Sequence, residues 1–93
     1  MAANTKIWEQ EDVDVLDEID EIYNIVVYND DENEFSWVIE TFMEILDHSS
    51  QQAEQLAMQI HNKGRAVVKS GSISVVSLLT EALLDRGLSA KIE

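Results

Sequence analysis

The run Tyr23-Asn24-Ile25-Val26-Val27-Tyr28, closed at once by Asn29-Asp30-Asp31, most constrains what this chain can fold into. Its β-branched and aromatic side chains suit a pleated strand. A helical pattern starts a few residues later. Phe35, Val38, Ile39, Phe42, Ile45 and Leu46 fall at i, i+3, i+4, i+7, i+10 and i+11. That spacing predicts an amphipathic helix of about 13 residues, with Asn33 as its N-cap. A strand passing directly into a helix puts two acids and an amide at the strand's C-terminal end, where a rigid scaffold can present them to a ligand.

Asp47-His48-Ser49-Ser50 breaks the first helix. Ser49, with Gln52 three residues on, forms a capping box for a second one. Ala53, Leu56, Ala57 and Ile60 are its buried stripe, and Gly64 ends it. Arg65 to Lys69 reads as a second strand and Ser70-Gly71-Ser72 as a turn. Ile73 to Arg86 carries a broad apolar face that predicts a third helix, stopped by Gly87. Leu88 to Ile92 alternates like a half-buried last strand. The order is β-α-α-β-α-β: an α+β sandwich with a three-stranded antiparallel sheet and three helices on one side.

Ninety-three residues make one core. The net charge is −13, with fifteen acids and one base in residues 1–47 against four acids and five bases in residues 48–93. Nucleic acid is not an expected partner, because its recognition needs a basic footprint. Anionic membranes are excluded on the same ground, and no apolar run approaches the ~20 residues of a membrane span. Residues 1–22 hold eight acids, no Gly and no Pro, which predicts a flexible extension ahead of a domain at 23–93. Leu16, Ile19 and Ile22 recur every third residue as a weak helical face. Cysteine is absent, so disulfides and thiolate metal sites are excluded. No signal peptide pattern opens the chain, and a cytoplasmic protein is expected.

The chemistry on offer is small. Asp30, Asp31, Glu32 and Glu34 lack the Gly and terminal Glu of a calcium loop. His48 and His61 have no second His or Cys at ligand spacing, so no metal or other cofactor is expected. No serine stands in a Gly-flanked elbow, and no enzyme activity is expected. An acidic turn before a helix commonly complements the helix dipole, and a histidine in a last turn commonly caps it. The alternative is that Asn29, Asp30, Asp31 and His61 together receive a small cationic group, such as a free α-amino terminus.

Tyr23–Asp31, an extended apolar stretch closed by Asn-Asp-Asp, resembles the opening of the Clp protease adaptor family (ClpS). The resemblance continues at Ile60-His61-Asn62-Lys63-Gly64-Arg65-Ala66-Val67-Val68 and at Leu88-Ser89-Ala90-Lys91-Ile92-Glu93, so it covers about residues 22–93. It implies a bacterial adaptor that binds substrate proteins through a destabilising bulky hydrophobic N-terminal residue. The adaptor delivers them to a Clp AAA+ unfoldase for degradation and catalyses nothing itself. By the same resemblance Asn29, Asp30 or Asp31, and His61 would hold the α-amino group and first peptide unit. Val27, Asn33, Phe35, Val38, Ala57, Ile60 and Leu88 would line the side-chain pocket.

The chain departs from the family at several points. Glu32-Asn33-Glu34 replaces an aromatic followed by Thr-Pro, so a pocket hydroxyl becomes an amide. Phe35 and Ala57 stand where Met is common. Ser74-Val75-Val76-Ser77-Leu78-Leu79 replaces the Ala-Glu-x-x-Lys-like pattern of the unfoldase-docking helix. A second reading follows: a ClpS-like interaction module with an altered ligand and no N-degron delivery.

Overall fold

The computed structural model describes residues 21–93. Strand β1 (Tyr23–Tyr28) leads to helices α1 (Phe35–Leu46) and α2 (Ser50–Lys63), then strand β2 (Arg65–Gly71), helix α3 (Ile73–Asp85) and strand β3 (Ser89–Ile92). The three strands form one sheet in the order β2-β1-β3, with both pairings antiparallel. The predicted β-α-α-β-α-β arrangement is therefore the observed one. The weak helical face at Leu16 and Ile19, and most of the acidic extension, lie outside the described residues. Among the described residues no helix is long and apolar enough to cross a membrane.

Sheet pleat and helix stripe meet in one core. Ile25 and Val27 of β1, Ala66 and Val68 of β2 and Ala90 of β3 bury their side chains against Phe42 and Leu46 of α1, Ala53 and Ile60 of α2, and Val76 and Leu83 of α3. Alternation puts these residues on one sheet face. Val26, Val67 and Lys91 form a cross-strand row on the other.

Strand β2 extends beyond its predicted end. Ser70 and Gly71 pair with Asn24 and Tyr23 instead of forming a turn, and the Ser70 hydroxyl donates to Asn24 Oδ1 at 2.6 Å. Ladder partners override the local turn preference of Ser-Gly-Ser. A register shift at Ile25/Val26 leaves Val68 as the extra residue of a bulge. Ala66 and Val68, two apart on the strand, both face the core.

The helix ends follow local chemistry with one correction. Ser49 caps α2 by accepting from the Gln52 backbone N–H at 3.1 Å, and Gly64 ends it at φ 94°. Asn33 does not cap α1. The N-cap position is Glu34, with no side-chain cap bond, because the Asn33 amide is engaged elsewhere.

His48, in the α1–α2 corner, is buried, with its ring edge-on to Phe42 at 5.9 Å between centroids. Burial pushes its imidazole below the usual value and Lys69 adds to this, against the backbone at Val68 and the Asp47 carboxylate. The unfolded chain therefore takes up this proton more readily than the native one. The stabilisation is complete above the unfolded value of about 6.5 and is lost as pH falls through it toward the depressed folded value. The melting temperature should fall between pH 7.5 and 5.5, and less so in His48→Gln. Equal slopes in the two proteins would refute this assignment.

Candidate functional site

The turn after β1 is built around one carboxylate. Asp30 Oδ1 accepts from the backbone N–H of Glu32 at 3.0 Å and of Asn33 at 3.1 Å. The Asn33 side-chain nitrogen lies 3.0 Å from each Asp30 oxygen, and the Ser89 hydroxyl donates to Oδ2 at 2.9 Å. Burial pushes the Asp30 carboxyl up, but the bonds from Ser89, Asn33 and the two backbone N–H groups outweigh it and hold the group below the usual aspartate value. Asp30 is ionised, half-buried and largely engaged by the fold.

Its neighbours face solvent. Asn29 and Asp31 are exposed. The Asn29 backbone N–H donates to the Gly64 carbonyl at 2.9 Å, and Gly64 follows the last turn of α2, which carries His61. His61 is exposed as well. That bond joins the acidic turn to the histidine-bearing helix end, although the two are some thirty residues apart in sequence. The bond ties backbone to backbone, with the exposed side chains of Asn29 and Asp31 on one segment and that of His61 on the other.

The residues expected to line a pocket divide into two groups. Val27, Ala57, Ile60 and Leu88 are buried, and Val38 packs half-buried against the core. Phe35 is 39 % exposed at the start of α1, beside the acidic turn in sequence. Asn33 is half-buried, and its amide donates into the protein. A separate groove of about 240 Å³ is lined by Tyr28, Leu84, Ser89, Ala90 and Lys91. It was not expected from the sequence and shares only Ser89 with the Asp30 cluster.

Three contributors to this region escape sequence reasoning. Ser89 reaches Asp30 across 59 residues. The Gly87 carbonyl accepts from the Asn33 amide at 2.9 Å. The Trp37 indole N–H donates to the Arg86 carbonyl at 3.0 Å, and the Arg86 guanidinium lies 5.4 Å from the Trp37 ring centroid. Local periodicity carries no signal for such pairs. Among the described residues no group of three His, Asp or Glu side chains could hold a metal ion.

The family model for the ATP-dependent Clp protease adaptor protein ClpS matches residues 18–91. The chain belongs to the ClpS adaptor family. It is 35% identical over 83 residues to the ATP-dependent Clp protease adapter protein ClpS of Streptomyces coelicolor, covering 89% of this chain and 86% of the relative. It is 31% identical over 86 residues to that of Mycobacterium tuberculosis, covering 92% and 84%. Among solved structures, Agrobacterium tumefaciens ClpS2 bound to L-phenylalaninamide superposes with a TM-score of 0.72. The alignment covers 78% of this chain and 95% of the other at 22% identity, a likeness of fold. The family is one of Clp protease adaptors, not of catalytic proteins.

Proposed function

We propose that this adaptor binds polypeptides through a free N-terminal residue with a bulky apolar side chain and hands them to a Clp AAA+ unfoldase. Residues 23–93 form the binding domain. The Asn29 N–H to Gly64 carbonyl bond supports the reading, because it ties the start of the acidic turn to the end of the helix that carries His61. An α-amine is mostly cationic near neutral pH, since its ordinary pKa is about 7.7–8.0. Asn29, Asp31 and His61 supply acceptors at this corner, with Asp30 adding its fixed negative charge. An acetylated or internal residue offers no such cation. The apolar residues around Val38, Ile60 and Leu88 take the side chain, whose burial adds about 1.5–3 kcal/mol.

The ClpS2 structure containing L-phenylalaninamide supports this by fold likeness, since that ligand carries a free α-amine and an aromatic side chain. Fluorescent peptides beginning with Leu, Phe, Trp or Tyr should bind, and N-acetylated or Ala-first versions should not. Failure of every free-amine peptide to bind would sink the proposal. That failure would favour the second reading, an interaction module using the apolar surface of α3, where Leu78 is 69 % and Leu84 50 % exposed.

A further inference from the structure

The Asn29–Asp31 turn hangs between two fixed points. One is the end of α2, through Asn29 N–H and the Gly64 carbonyl. The other is the corner between α3 and β3, where Asn33 makes the connection. Its side-chain nitrogen is 2.9 Å from the Gly87 carbonyl and 3.0 Å from both Asp30 oxygens. A primary amide has two N–H groups. One serves the carboxylate and the other the carbonyl, so neither is left for a ligand. Ser89, two residues beyond Gly87, closes the same cluster through its hydroxyl and Asp30 Oδ2.

We propose that Asn33 is a positioning residue of the amine site: it clasps the acidic turn to the α3–β3 corner and so fixes where Asn29 and Asp31 project, without touching the ligand. This rests on the amine-binding reading above. Asn33 is thereby moved from the pocket lining to the support of the turn. Acceptors held by their own hydrogen bonds meet a cation without first losing conformational freedom. With the clasp removed, Asp30 loses a donor to each oxygen and the corner carbonyl loses its partner. The turn then samples conformations in which the neighbouring acceptors diverge.

The experiment compares Asn33→Ala, Asn33→Asp and Ser89→Ala with wild type. The readouts are the dissociation constants for Leu-, Phe- and Trp-first free-amine peptides, the thermal midpoint, and the Asp30 carboxyl titration followed by NMR. Asn33→Ala should raise the dissociation constant at least about tenfold, by analogy with the ~10–100-fold losses on removing the hydrogen-bond partners that orient metal ligands. It should do so at a temperature where circular dichroism shows the protein folded. Asn33→Asp preserves shape, removes both donors and sets a like charge beside Asp30, so it should bind more weakly still. Ser89→Ala, the mildest change, should weaken binding in the same direction by less. The Asp30 titration should move upward in all three. A pocket-lining role for Asn33 predicts instead that Asn33→Ala changes the preference among Leu-, Phe- and Trp-first peptides, since the pocket's shape is altered, while a positioning role weakens all three alike. A changed preference, or an Asn33→Ala constant within about twofold of wild type, overturns the proposal alone. A wild-type protein that binds no free-amine peptide overturns the functional reading and the proposal with it.

Discussion

Phe42→Ala is expected to lower the unfolding free energy by about 3–5 kcal/mol, the usual cost of deleting a buried phenylalanine ring. Phe42 has no exposed surface. Its ring fills the space between α1 and the sheet and meets the His48 imidazole edge-on. The surrounding core comes from all six elements, so the structure cannot close over the void by shifting one loop. Domains of this size hold only about 5–15 kcal/mol in total. The variant should thus lose a large share of its stability. Each kcal/mol is worth about 4–8 °C in the midpoint at this chain length, so the thermal transition should fall by more than about 12 °C. Urea unfolding should show a lower midpoint with an unchanged slope. Phe35→Ala, at a site 39 % exposed, should cost much less. Equal costs at the two positions would contradict the core described above.

Asp31→Ala and His61→Ala are each expected to weaken binding of a Phe-first free-amine peptide by about 1.5–3 kcal/mol, the worth of a hydrogen bond to a charged group. That corresponds to roughly 10–150-fold in dissociation constant. Both side chains are exposed, so their removal should leave stability within about 0.5 kcal/mol of wild type. A loss of affinity without a loss of stability separates these two residues from Asp30, whose carboxylate takes part in the fold through Ser89, Asn33 and the Glu32 backbone. Fluorescence anisotropy with the free-amine and N-acetylated peptides measures the effect directly. If both variants bind like wild type while the N-acetyl block still abolishes binding, the amine is held by other residues and the assignment of Asp31 and His61 is wrong.

Much of the architecture was legible because it follows from short-range pattern. The period of Phe35, Val38, Ile39, Phe42, Ile45 and Leu46 marks α1, and the Ser49–Gln52 cap and Gly64 bound α2. Backbone geometry sets these signals within a few residues of each other. The misreadings have a common cause. Asn33 has the chemistry of a cap, but its amide finds Asp30 and Gly87. Ser70-Gly71 has the chemistry of a turn, but β1 supplies ladder partners. In both cases a group distant in sequence offers a better-satisfied arrangement than the local one.

The sequence by itself determined the order of the elements, the residues that form the core and the acidic turn that closes β1, because periodicity and capping act over single helical turns or strand repeats. Only the tertiary structure decided how that turn is held. Its two attachments, to Gly64 and to the Gly87–Ser89 corner, come from segments that are neighbours only after the sheet forms in the order β2-β1-β3. Hydrogen bonds need donors and acceptors within about 3 Å of each other. No local pattern encodes that proximity across more than fifty residues of chain.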